Sequence, residues 1–214
     1  MTYLQLVNSV LRRIREDEVS SVSQNNYSKL IGEFVNDAKR TVEDSYDWTA
    51  LRTTLTVSTS ASTFNYTLTN SQNKMKILDV INDTSNFFMH YKTSHWMNNA
   101  FLIDDAPTGT PQFYSFNGVD ANGDNGVDLY PKPDKAYQVR FNVVLRTHDF
   151  TADTDVLSIP SSPVVQIATA LAARERGETG GTSAAELFGL ADRTLSDAIA
   201  FDAAQHPEET IWYS

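Results

Sequence analysis

Leu51-Arg52-Thr53-Thr54-Leu55-Thr56-Val57 is where the periodicity of this chain changes. Leu51, Thr53, Leu55 and Val57 alternate with Arg52, Thr54 and Thr56, a period of two that fits a half-buried strand. Upstream the period is three to four. Thr2 and Gln5 form a capping-box pair, and Leu4, Val7, Leu11 and Ile14 make one apolar stripe, which predicts a helix over 3–16. Arg12, Arg13 and Arg15 suit its C-terminal end. After a polar loop, Leu30, Phe34, Ala38 and Val42, with Ile31 and Val35 beside them, predict a helix over 27–47. The aromatic pair Tyr46 and Trp48 closes it as packed core.

Downstream, the period of two persists in short runs. Phe64, Tyr66 and Leu68 alternate, and the Ser/Thr/Ala cluster at 58–63 predicts a hairpin between this run and the first. Further strands are expected at 75–81, 87–91, 112–116, 127–130 and 137–145. Val139, Phe141 and Val143 should face one way, with Arg140 and Asn142 opposite. Residues 93–101 admit a short helix with Trp96 and Phe101 buried. Pro131-Lys132-Pro133-Asp134-Lys135 predicts a hairpin turn, because two prolines remove ladder donors.

Two helical patterns close the chain. Ser162 is expected to cap the first, with Pro163 at its first position and Val164, Ile167, Ala168 and Leu171 as its stripe. Gly177 ends it, and Gly180-Gly181 make a bend. Ser183 and Glu186 read as a second capping box, opening a helix over 184–205 with Leu187, Ala191, Leu195 and Ala198 inside. The expected fold is therefore α+β. A bundle of about four helices comes from both chain ends (1–49 and 158–206), an antiparallel β-sandwich-like region over 50–157 is inserted, and a tail follows at 207–214.

The formal net charge of −10 disfavours affinity for nucleic acid, which rests on Lys and Arg neutralising phosphates. There is no cysteine, which removes disulfides, thiolate nucleophiles and cysteine-bound metals. No signal peptide is visible at 1–15, and no apolar run approaches the ~20 residues that span a bilayer.

The candidate chemical sites are weak. Asp120, Asn122 and Asp124 resemble the start of a calcium loop, but Asn125 and Pro131 stand where an EF-hand needs glycine and glutamate, so an acidic turn is the expected reading. His90 and His95 lack the zinc-protease glutamate, and His148 and His206 have no suggestive neighbours. No nucleophile elbow or phosphate loop occurs. The pairs Asp104/Asp105 and Asp153/Asp155 read as solvated loop acids rather than a glycosidase pair. No enzyme, cofactor or metal is expected. Ile211-Trp212-Tyr213 places aromatics on a short polar tail, either as anchors for a partner's pocket or folded back onto the β layer.

The order of the pieces resembles one family. Leu6-Val7-Asn8 and Leu11, then Tyr46-Asp47-Trp48-Thr49, then Thr108-Gly109-Thr110-Pro111-Gln112-Phe113-Tyr114 run in the order seen there. Val127-Asp128-Leu129-Tyr130-Pro131-Lys132-Pro133-Asp134, Tyr137-x-Val139-x-Phe141 and Leu157-Ser158-Ile159-Pro160 continue it. This is similar to the head-to-tail adaptors, or connectors, of short-tailed phages (tail tubular protein A-like proteins). The resemblance implies a non-enzymatic virion protein at the portal–tail junction, made in the host cytoplasm. It implies a ring, usually of twelve copies, between portal protein and tail nozzle protein, through which genomic DNA passes without sequence-specific binding and with no membrane involved. On that reading Glu33, Asp37, Asp192 and Asp197 are channel-lining candidates, and Ile211, Trp212 and Tyr213 dock on the portal or a neighbouring subunit. A second reading is a phage carbohydrate- or receptor-binding β module, with Trp96, Tyr91 and Tyr114 as sugar platforms.

Overall fold

Helix α1 (Tyr3–Arg13) begins where the capping box places it: Gln5 N–H donates to Thr2 Oγ1 and Thr2 N–H to Gln5 Oε1. It stops short of residue 16 because Arg15 takes a positive φ of 60°, and Glu16 N–H turns back onto the Leu11 carbonyl at 2.9 Å. Its buried face is Leu6, Val7, Val10 and Leu11, while Leu4 and Ile14 are half-buried. The computed structural model describes residues 1–71, 75–102, 106–177 and 182–205. Among these the chain forms five α-helices and ten strands, in two units: Met1–Leu51 with the chain from Thr147 onward, and Arg52–Arg146.

In the helical unit, α2 (Asn26–Ser45) is capped reciprocally by Asn25 and Ser28. Ile31, Val35, Ala38 and Val42 are buried, whereas Leu30 and Phe34 sit only half-buried on its flank. Trp48 is fully buried, and its indole N–H donates to the Val42 carbonyl at 2.7 Å. Helix α4 (Ser161–Glu175) starts before the serine expected to cap it. Pro160 is the N-cap, no side chain caps the end, and Pro163 falls in the first turn, where its missing N–H has no intrahelical acceptor in any case. Gly177, at φ +77°, follows its end. Helix α4 packs against α1, α2 and the last helix, α5 (Thr182–Gln205), and is buried on most sides, with alanines at 168, 170, 172 and 173 allowing close approach. Helix α5 rests on α4, with Ala191 buried and Leu187, Leu195 and Ala198 half-buried. Helix α5 is already helical at Thr182, so Ser183 lies inside it rather than capping it. The bend at 180–181 and the tail at 207–214 lie outside what is described.

The β unit holds β1 (Arg52–Ser58), β2 (Asn65–Leu68), β3 (Met75–Asn82), β4 (Phe87–Phe88), β5 (His90–Tyr91) and α3 (Ser94–Phe101). It continues with β6 (Thr108–Gly109), β7 (Phe113–Val119), β8 (Asn125–Tyr130), β9 (Lys132–Pro133) and β10 (Gln138–Leu145). One sheet runs β1-β10-β3-β4, a second β2-β8-β7-β5, and β6 pairs with β9. The two larger sheets feed one apolar cluster: Val57, Val80, Val139, Phe141 and Val143 from the first, Leu68, Tyr114, Val127 and Leu129 from the second.

Neither expected hairpin forms. Strand β1 pairs with β10 (Leu55 opposite Phe141), and β2 pairs with β8 (Tyr66 opposite Val127). The 59–64 connection crosses between sheets because Thr59 is already tied to Tyr137: its N–H donates to the Tyr137 carbonyl, and its hydroxyl accepts from the Tyr137 N–H. The 131–135 segment also changes sheets, with Lys132–Pro133 forming β9 on the way. Nor is the region wholly antiparallel, since β5 runs parallel to β7 and β6 to β9. In α3 the buried residues are Met97 and Ala100. Trp96 and Phe101 are half-buried against Phe113, Tyr130 and Phe64, with Lys92 and Lys132 over these rings.

Candidate interaction surface

The sequence-derived acids sit on helix exteriors. Glu33 and Asp37 are exposed on α2, one turn apart, and with Asp44 they form an outward acidic row. Asp37 pairs with Arg40 at 3.1 Å, and Arg40 in turn donates to Asp149. That contact with Asp149 raises the guanidinium's pKa above its ordinary value. Asp192 and Asp197 are exposed on α5, but five residues at 100° each leave them about 140° apart, on different flanks. Ile211, Trp212, Tyr213, Asp104, Asp105 and His206 lie outside the described residues.

The other acids are used locally. Asp120 Oδ1 accepts the N–H groups of Asn122 and Asp124 and so shapes the β7–β8 turn, with Gly123 at φ +88°. Asp153 accepts from Val22 N–H. Asp155 accepts from the N–H groups of Ala152 and Thr151, which pull its carboxyl below the usual range. His90, His95 and His148 are exposed. No group of three or more metal-binding side chains occurs among the described residues, and no helix there is long and apolar enough to cross a membrane.

Of the sugar-platform aromatics, Tyr91 and Tyr114 are paired across β5 and β7 with ring centroids 5.8 Å apart, while Trp96 packs elsewhere. Tyr114 is core, meeting Phe116 and Phe141 edge to face, and burial raises its pKa. Trp96 is wedged between Phe113 and Tyr130, and only Tyr91 is largely exposed.

Two features escaped the sequence reading. The first is a polar clamp on α2 that holds residues 147–150. Asn36 bonds both the N–H and the carbonyl of Phe150, and Lys39 Nζ donates to the carbonyls of Thr147 and His148. Lys39 also pairs with Glu43 at 3.2 Å, both side chains fully enclosed, while Glu43 Oε1 accepts the Thr147 hydroxyl at 2.6 Å. The only available signal was Lys39 and Glu43 standing four apart, each one residue past the apolar positions Ala38 and Val42. The second is the outer side of α5, where Leu190 is 46% and Phe201 74% exposed. Arg193 stands between them, exposed, with no ion pair among the described residues.

A groove of about 550 Å³ runs past Tyr3, Ser21, Lys29, Glu33 and Asp153. Burial, then Glu33, Asp153 and Asp149, push the Tyr3 hydroxyl up to about 12.

No curated protein matches the chain. The model of the family described as SU10 adaptor protein matches residues 1–210, nearly the whole length. The chain belongs to the SU10 adaptor protein family.

Proposed function

We propose that this phage adaptor is a non-enzymatic structural ring at the portal–tail junction of the virion. Its partners are the portal protein, the tail nozzle protein and further copies of itself, twelve in the full ring. Genomic DNA passes through the ring during packaging and ejection and is held there between the two. The family match over residues 1–210 carries this reading.

The distribution of charge supports it. The helical unit holds nine lysines and arginines against nineteen aspartates and glutamates, and the β unit eight against eight, so the entire net charge of −10 falls on the helical unit, its loops and tail included. A wall drawn from that unit, with Glu33, Asp37, Asp192 and Asp197 as its candidates, repels a negative polymer rather than trapping it. The Ile211-Trp212-Tyr213 arm docks on the portal or a neighbouring copy. The sugar-binding alternative gains little from Trp96, Tyr91 and Tyr114: Tyr114 is buried and Trp96 is half-buried against Phe113 and Tyr130, which leaves Tyr91 alone of the three largely exposed.

Native mass spectrometry of the chain with and without its portal protein tests the ring: a closed oligomer in either condition supports it, and monomers in both dispose of it. Removing residues 208–214 should weaken portal binding, and unchanged binding would exclude the arm.

A further inference from the structure

Two stripes on the helical unit share one spacing. On α2, Leu30, Phe34, Asp37, Thr41 and Ser45 follow at intervals of four, three, four and four residues, and on α5 Glu186, Leu190, Arg193, Asp197 and Phe201 do the same. At 100° per residue each set spans about 80° of arc, so each is a single face. Leu30 and Phe34 are half-buried, and the other eight residues are exposed. Helices α2 and α5 both pack on α4, which α1 also covers, so one unit offers two different faces. A ring needs such a head-to-tail pair.

We propose that α5 of one copy packs against α2 of the next in parallel register, with Leu190 on Phe34 and Arg193 on Asp37. This rests on the ring reading above and names its seam. Copies whose helical units carry all of the net charge repel one another unless the seam pairs opposite charges. Arg193 is the sole Lys or Arg of α5. In the parallel register Asp197 falls opposite Thr41, Phe201 opposite Ser45 and Glu186 opposite Leu30, and no like charges meet. The antiparallel alternative through the same Arg193–Asp37 pair sets Asp197 against Glu33 and Glu186 against Asp44. Asp37 already pairs with Arg40, but that contact is exposed and weak, so sharing it costs little. The seam takes Asp37 and Asp197 out of the channel wall and leaves Glu33 and Asp192 to it.

The chain has no cysteine, so Thr41→Cys and Asp197→Cys, both at exposed positions, can be introduced together without background. Mild oxidation of the assembled double variant should give a ladder of covalent multimers, and each single variant none. A wild-type ring by native mass spectrometry alongside a double variant without a ladder overturns the seam and leaves the ring standing. A wild type that stays monomeric with and without the portal protein overturns both. A second pair of variants checks the charges. Arg193→Asp should weaken ring formation about tenfold, and adding Asp37→Arg should restore it to within about threefold. Loss without restoration, in chains whose circular dichroism is unchanged, overturns the pairing.

Discussion

Lys39 and Glu43 place two charges on the buried side of α2, and the segment they hold explains why. Lys39 satisfies two carbonyls of a chain stretch that belongs to no helix or strand, while Glu43 keeps one oxygen, Oε2, buried without a partner among the described residues. Breaking one side of such a pair strands the other charge, so Lys39→Met should cost about 3–5 kcal/mol in denaturant unfolding. Lys39→Met with Glu43→Leu should recover most of the loss, because neither charge then remains. Gly32 is a second pressure point. A Cβ there would land on the Tyr3 hydroxyl and at 2.9 Å from Val22 Cγ1, and the Tyr3 ring is held by Phe150 at 5.2 Å. Gly32→Ala should lower stability by about 1–3 kcal/mol despite its better helix propensity, and Tyr3→Phe in the same chain should return part of it. Asp155 predicts a pH effect. Its folded pKa lies below the unfolded value of about 3.9. Its contribution is therefore complete above that value and lost as the pH falls through the folded one. Asp155→Asn should flatten the acid limb of the stability curve, and an unchanged limb would assign the acid sensitivity to other carboxylates.

Among the elements, Phe141 ties the β unit together. It lies on β10, between β1 and β3, and its ring meets Tyr114 and Phe116 of the second sheet at 6.0 and 6.4 Å. Phe141→Ala should cost about 3–5 kcal/mol. In hydrogen exchange, protection should fall across β7, β8 and β10 while α1, α2 and α4 keep theirs. The strand was legible for a physical reason: Val139, Phe141 and Val143 are buried and Arg140 and Asn142 are not, so alternation wrote the inward face into the sequence. Its partners were not. Alternation says which side chains point inward but not which sheet a strand joins, and β1 finds its partner some eighty residues away, so the nearby run looked like the mate. Leu78 shows a further limit. It is the extra residue where the β3–β10 register shifts, and it is exposed although its composition reads as core. Helix ends fared better where a side chain caps them, as Thr2 does, and worse at α4, where no side chain does. The polar clamp stayed hidden because buried charges break the apolar pattern from which a core is read. On α5 the outward Leu190 and Phe201 were passed over for the same kind of reason, since the stripe through Leu187, Ala191 and Leu195 already accounted for a packed face.

At the scale of the whole molecule, the partition of charge decides what a channel built from the helical unit would do. Double-stranded DNA carries about one charge per 1.7 Å of axis, so a lysine turned inward gains a phosphate partner at every step of translocation and releases counterions each time. An inward carboxylate gains none. If the α5–α2 seam absorbs Asp37 and Asp197, Glu33 and Asp192 are the carboxylates left to face the genome. Glu33→Lys with Asp192→Lys should still assemble, because neither position lies on the seam stripes. Virions carrying the double variant should package DNA but eject it more slowly. The delay should shrink as salt rises, since added ions screen exposed charges over about 10 Å at 0.1 M and compete for the phosphates. Ejection kinetics followed by dye entry into purified particles, at two ionic strengths, would read this directly. A rate indifferent to both the sign of the side chains and the salt would place these residues on the outside of the ring, and the acidity of the helical unit would then serve solubility rather than passage.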